Sequence, residues 1–162
     1  MEVNKLCFEF EKYASTDELS GDDSLLMQHA VEALRNAYAP YSQFRVGAAL
    51  RLNNGRIITG NNQENVAYPS GLCAERVALF YANSNFPGAV VEAIAIAAET
   101  EKFELSGPVT PCGSCRQVMS ETEKRQGQKM RVLMRGGDGT VLATNSIESL
   151  LPLMFEADGL KK

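Results

Sequence analysis

The sequence predicts an α/β fold on a mixed sheet. Runs of helical periodicity alternate along the chain with short apolar runs of strand length. Asn53-Asn54-Gly55 lies between two such runs and marks a hairpin, so the first strand pair is antiparallel. The strand–helix–strand order that follows favours parallel neighbours, which makes the sheet mixed. With 162 residues, 44% hydrophobic and 22% charged, the chain is long enough for one domain with a full core.

Leu6, Phe8 and Phe10 alternate with Cys7, Glu9 and Glu11, a strand pattern with one apolar face that a helix start would also produce. Residues 15–23 are polar and contain Gly21-Asp22-Asp23, a loop that ends in a helix cap at Asp23 or Ser24. The helix runs to about residue 37, with Leu26, Ala30, Ala33, Leu34 and Ala37 on one face, and Pro40 marks its end. Residues 46–52 and 56–59 are the hairpin strands. Residues 60–71 form a long polar connection without periodicity, of the kind that tends to be functional in compact domains. A helix from about Cys73 ends near residues 83–85, before Pro87. Residues 90–98 are apolar enough for a buried strand, and 99–109 read as a polar loop. A third helix reaches about Arg125. Residues 130–134 and 141–143 flank Gly136-Gly137-Asp138-Gly139 as a second hairpin-like pair. Ser146 opens a short helix that Pro152 bends or ends, and the tail from Glu156 is polar. No repeat, low-complexity stretch or linker interrupts the chain, so residues 1–162 are expected to form a single domain.

Sixteen basic against twenty acidic residues give a net charge of −4. That balance lacks the positive footprint a phosphate backbone demands, so no nucleic-acid partner is expected, while an uncharged nucleoside remains open. No apolar run has membrane-spanning length, and Met1-Glu2-Val3-Asn4 does not begin a signal peptide, so the expected compartment is cytoplasmic with no membrane association. In that setting four cysteines point to metal or redox chemistry rather than to disulfides. Cys7 reads as a small buried hydrophobe and receives no role.

The chemistry is concentrated in Cys73-Ala74-Glu75-Arg76 and Pro111-Cys112-Gly113-Ser114-Cys115-Arg116-Gln117. Together they offer three thiols and one carboxylic acid. Zn²⁺ accepts thiolates in a tetrahedral site, and a catalytic zinc keeps one position open. Cys73, Cys112 and Cys115 fill three positions, and Glu75 is then placed to move protons beside the fourth. In mid-helix Cys73 and Glu75 would point to different sides, whereas at a helix mouth both can face one site. Gly71-Leu72 before Cys73, and Pro111 before Cys112, suit two helix starts, whose partial positive charge favours thiolates. Cys112-x-x-Cys115 alone would also suit a redox pair or half of a structural zinc site. A redox pair leaves Cys73-Ala74-Glu75 as coincidence. A four-ligand structural site would need Cys7 or the lone His29, which reads as a partly exposed helix residue.

These motifs resemble the zinc-dependent cytidine deaminases, in the small homotetrameric form with three cysteine ligands. The resemblance runs from about Ser24 to about Leu160 and includes Tyr41-Ser42-Gln43-Phe44, Gly60-Asn61-Asn62-Gln63-Glu64-Asn65 and Leu150-Leu151-Pro152. Residues 1–23 fall outside it as an extra N-terminal segment. It implies a three-layer α/β/α sandwich around a mixed sheet of about five strands, with one Zn²⁺ per chain at two helix N-termini. It implies hydrolytic deamination of cytidine and deoxycytidine to uridine and deoxyuridine, in pyrimidine salvage, by hydroxide at the zinc. Glu75 would take a proton from the water, deliver it to N3 of the pyrimidine, and later protonate the leaving amine. Asn62 and Glu64 match the pair that binds the ribose 3′-hydroxyl, and Phe44 the aromatic that packs on the base. The backbone of Ala74 and Pro111 would meet the pyrimidine edge. Tyr68 and Phe155 match aromatics at subunit boundaries, Phe155 reaching into a neighbouring active site of a homotetramer. Three thiolates leave the zinc site with a net −1, and Arg76 beside Cys73 would withdraw density from it; Arg116 is the weaker counterpart.

Two other functions fit parts of this pattern. A deaminase of another aminated nucleoside, such as a nucleoside antibiotic, would share the zinc motifs without needing Asn62 and Glu64. A non-catalytic zinc module for protein interaction would leave Glu75 incidental.

Overall fold

A computed structural model describes residues 1–160. A six-stranded sheet forms its centre, with strand β1 (Glu11–Tyr13), β2 (Phe44–Leu52), β3 (Ile57–Asn61), β4 (Val91–Thr100), β5 (Arg131–Arg135) and β6 (Val141–Thr144). The spatial order is β1-β6-β5-β4-β2-β3. Only β4 and β5 run parallel; the other neighbours are antiparallel, so the sheet is mixed as expected. Helix α1 (Gly21–Ala33) covers one face, while α2 (Ala74–Asn85) and α3 (Gly113–Gln126) cover the other, giving three layers.

Strand β4 shows why the layers assemble in this way. Its residues alternate, as any strand's do. Ala93, Ala95 and Ala97 face α1 among Leu26, Met27 and Ala30, and the small side chains let that helix lie close to the sheet. Ile94 and Ile96 face α2 and α3 among Ala78, Leu79 and Met119. With both faces covered, the strand reads as a continuous apolar run in the sequence.

Several sequence expectations need correction. The sheet has six strands rather than five. Residues 6–10 are neither strand nor helix; the N-terminal strand is the next three residues, Glu11–Tyr13, paired with β6. The apolar alternation of Leu6, Phe8 and Phe10 has no face to bury against, and all three are exposed. Cys7 is likewise exposed, because it belongs to that undocked stretch. Strand β1 is held by polar contacts: Arg131 of β5 donates to Glu11, to the Tyr13 hydroxyl and to Asp23 of α1. Helix α1 begins earlier than expected, since Ser20, not Asp23 or Ser24, supplies the cap by accepting from the Asp23 amide at 3.4 Å. It also ends earlier, in a 3₁₀ turn at Leu34–Asn36. Ser146 opens only a 3₁₀ turn, Ile147–Ser149, capped by its own hydroxyl. Both hairpins and the two later helices lie where the sequence put them, within a few residues.

Candidate functional site

The starts of α2 and α3 meet beneath one cleft. Cys73 and Cys112 are the N-cap residues of the two helices, each with extended backbone, and neither side chain bonds to its own helix amides. Cys115 sits in the first turn of α3 and is fully buried. The Cys73 and Cys112 sulfurs are 3.8 Å apart, those of Cys112 and Cys115 3.5 Å, and all three lie within 4.8 Å of one another. Tetrahedral sulfur ligands about 2.3 Å from a common centre would be separated by about 3.8 Å, so the trio has the spacing of a thiolate metal site.

Charge is arranged accordingly. A hydrogen bond from Cys115 is the largest influence holding the Cys73 thiol down to about 5; Arg76 and Cys112 also lower it, while burial opposes them. The same bond from the donor side, with burial, pushes the Cys115 thiol up. Arg76 Nη2 lies 3.7 Å from the Cys73 sulfur. Its Nε is buried with no hydrogen-bond partner, the sole such side-chain atom among the described residues. A buried unpartnered donor carries a desolvation cost, and the guanidinium that bears it is held against the sulfur cluster through Nη2. Glu75 is 4% exposed in the first turn of α2. Burial raises its pKa, and the charge on Cys73 adds to the shift.

Above the cluster opens a cleft of about 820 Å³ lined by Glu75, Cys73 and Cys112, and on its outer side by Phe44, Asn62, Glu64 and Tyr68. It is therefore the 60–71 connection, with the entry to β2, that builds the walls. Asn62 accepts from the Val46 amide at 2.8 Å and donates to the Phe44 carbonyl at 2.9 Å. Its amide thus pins the start of β2 while keeping a second N–H. Glu64 accepts from the Tyr41 and Ser42 amides at 2.8 and 3.3 Å and from the Ser42 hydroxyl. Burial pushes this carboxyl up, but those three bonds outweigh it and hold the pKa below the usual value. A carboxylate has about four lone-pair positions, so one acceptor site remains.

The structure brings together most of the residues singled out in the sequence. Ala74 is buried at the first position of α2, between Cys73 and Glu75. Phe155 is the exception: it is 70% exposed and lies along α3, its carbonyl accepting from Gln117 at 3.1 Å, away from its own chain's cleft. His29 stands in α1, half-exposed and 4.0 Å from Glu32, on the opposite side of the sheet. Sequence reasoning missed Ser42 and Tyr41 as the partners of Glu64, and Thr110 as part of the cleft wall. Pro40 followed by polar residues signals a turn there, but which carboxylate accepts its amides depends on a contact 22 residues away.

Comparison with known proteins agrees with this geometry. The sequence profile of the cytidine and deoxycytidylate deaminase zinc-binding region matches residues 20–128. A cytidine deaminase of Halalkalibacterium halodurans is 49% identical over 100 residues, 62% of this chain and 71% of that one. That of Sporosarcina psychrophila is 40% identical over 139 residues, 86% of this chain and 95% of its own. The crystal structure of cytidine deaminase from Burkholderia pseudomallei superposes with a TM-score of 0.71 at 41% identity, covering 85% of this chain and all of that one.

Proposed function

The chain belongs to the cytidine and deoxycytidylate deaminase family, and on that premise we propose how its own residues divide the work. It is a zinc-dependent hydrolase that converts cytidine and water to uridine and ammonia. Deoxycytidine is proposed as a second substrate, since the sugar contact assigned to Asn62 and Glu64 is to the 3′-hydroxyl, which both nucleosides carry. Cys73, Cys112 and Cys115 are the proposed holders of one Zn²⁺, as thiolates; their spacing and the unpartnered Nε of Arg76 support this. Zinc held there supplies the Lewis acidity that makes water nucleophilic near neutral pH.

Glu75 then moves the protons. It takes one from the attacking water and gives it to N3 of the pyrimidine, then takes the second proton of that water from the new C4 hydroxyl and passes it to the amine, which leaves as ammonia. One group serves as base and then as acid, which requires a carboxyl less acidic than usual; its burial provides that. This buried carboxyl, at the thiol cluster and open to the cleft, is the observation that carries the reading. Phe44 packs on the base, Asn62 donates its free N–H and Glu64 offers its free lone pair to the sugar hydroxyl, and Tyr68 closes the outer wall. The backbone at Ala74 meets the pyrimidine edge. Arg76 offsets the excess negative charge of three thiolates.

Phe155, exposed and remote from its own cleft, is proposed to complete the site of a neighbouring chain in a homotetramer. Among the described residues no helix is long and apolar enough to cross a membrane. Pyrimidine salvage in the cytoplasm is the proposed setting.

The test pairs metal analysis with the loss of cytidine absorbance. Wild type is expected to bind about one zinc per chain, and Glu75→Gln to keep zinc while losing turnover by about 10⁴-fold, the upper end for general acid–base removal. A Glu75→Gln protein that kept a tenth of wild-type kcat would reject the shuttle. Full zinc retention in Cys112→Ala would reject the ligand set.

A further inference from the structure

Residues 101–107 connect β4 to the approach to α3, and the mechanism above leaves them without a role. They touch the substrate side of the cleft at two points. Phe103 lies against Phe44, ring centroids 6.2 Å apart and planes inclined by 17°, an offset stack. Offset aromatic pairs of this kind hold each other's orientation beyond what burial alone provides. Phe44 lines the cleft and Phe103 does not, so Phe103 backs the ring from outside. One residue earlier, the Lys102 ammonium donates to the Tyr41 carbonyl at 3.3 Å. Tyr41 is also the residue whose amide Glu64 accepts, so the same peptide segment is gripped from both sides. The Lys102 charge is felt at Glu64 and helps to hold its carboxyl ionised.

Phe103 is 56% exposed, more than core packing would require of it, and Gly107 has a φ of 115° that only glycine adopts without strain. Gly107 also approaches Gly136 so closely that a Cβ on Gly136 would lie 2.5 Å from its carbonyl carbon, which anchors the end of the loop on the β5–β6 turn. The loop is therefore anchored at its far end and reaches across to residues 41–44.

We infer that residues 101–107 form a positioning arm for the substrate, in which Phe103 fixes the base-facing ring of Phe44 and Lys102 fixes the turn that presents Glu64. The inference rests on the deaminase reading and adds two residues that determine how tightly a pyrimidine nucleoside is held. Neither residue touches the reacting atoms, so their effect falls on binding and not on the chemical step.

Steady-state kinetics with cytidine, with zinc content measured on the same samples, test this. Phe103→Ala is expected to raise KM about two- to tenfold, the span expected for losing one aromatic pair, with kcat within twofold of wild type and zinc unchanged. Lys102→Met, which keeps the aliphatic stem, is expected to raise KM in the same direction. Phe103→Trp should restore KM and, because the chain has no other tryptophan, its fluorescence should change on titration with uridine. An unchanged KM in Phe103→Ala, or a fall in kcat at constant KM, overturns the arm; so does a Phe103→Trp protein whose emission ignores uridine. A wild-type enzyme that fails to consume cytidine overturns the deaminase reading itself, a separate result.

Discussion

Replacing Gly60 by alanine should damage catalysis from a position that touches no substrate. Gly60 lies in β3 with its Cα against the first turn of α2. A Cβ built there would meet the Ala74 carbonyl oxygen at 2.6 Å, the Ala78 amide nitrogen at 2.7 Å and the Ala78 Cβ at 3.0 Å. Both of the first two atoms belong to helix backbone, one step inside the opening bond from the Val77 amide to the Cys73 carbonyl, so no side-chain rotation relieves the clash. Ordinary contact begins near 3.4 Å, and the helix start must therefore retreat by about 0.8 Å. That turn carries Cys73, Ala74 and Glu75. Overpacking of this kind costs about 1–3 kcal/mol. For a chain of this size each kcal/mol is worth about 2–4 °C in Tm, so a fall of roughly 2–12 °C is expected. Misplacement of catalytic groups by about 1 Å costs up to about 10²-fold in rate, and kcat should drop by more than tenfold. Thermal melting and cytidine turnover on the zinc-loaded variant are the measurements. Gly55→Ala is the control: its φ of 79° carries strain but nothing lies within 4 Å, so it should lower Tm and leave kcat alone. A Gly60→Ala protein with wild-type Tm and kcat would refute the packing argument.

Three further outcomes are expected. Glu64→Ala should reduce kcat/KM for cytidine much more than for free cytosine, because the lost acceptor is the one proposed to meet the sugar; equal losses would make Glu64 a turn-holding residue only. Phe155→Ala should raise KM and loosen assembly in light scattering while zinc stays bound; an active wild-type monomer at nanomolar concentration would exclude a shared site. The docking of β1 should weaken in acid. The Arg131 hydrogen bond, with Tyr13 adding, lowers the Glu11 pKa from 4.5 to about 2. The carboxylate therefore favours the folded strand above pH 4.5, and that contribution fades as pH falls towards 2. Hydrogen exchange at Lys12 and Tyr13 should show this loss in wild type and not in Glu11→Gln.

The site was more legible in the sequence than the fold's edges were. Metal chemistry needs particular atoms at particular spacings, so Cys73, Glu75, Cys112 and Cys115 declare themselves in a single chain. The hairpin at Asn53-Asn54-Gly55 is local in the same sense, since Gly55 adopts the positive φ that its turn requires. What could not be read depends on partners far along the chain. Arg131 reaches Glu11 across 120 residues and Asp23 across 108, and no periodicity announces that β1 is held by charge instead of apolar burial. Glu123 looks like a surface acid of α3, yet it is 8% exposed and accepts from the Met130 and Ile147 amides and the Ser146 hydroxyl. The misplaced strand at residues 6–10 is the converse case, a clean local pattern with no surface to pack on.

The two metal-facing helix starts also share one local device. In ordinary helices an N-cap side chain satisfies an amide of the first turn, and a residue at the third helical position reaches back to the cap. Cys73 and Cys112 occupy the cap positions but leave those amides alone, so their sulfurs are free to face the cleft. At the third helical position stand Arg76 and Cys115, and both do reach back: the guanidinium to the Cys73 sulfur at 3.7 Å, the Cys115 thiol to Cys112 at 3.5 Å. One helix thus pairs a sulfur with a cation and the other pairs it with a second sulfur. The same cap-to-third-position step explains the Cys-x-x-Cys spacing and the Cys-x-x-Arg spacing. It also resolves the apparent conflict of Cys73 with Glu75, two residues apart: the cap residue is not yet helical, with φ −72° and ψ 152°, so the acid in the first turn can share its side. A shift of either helix start by one residue would break the pairing on that helix, which is why the cap geometry, more than the cysteine count, defines this site.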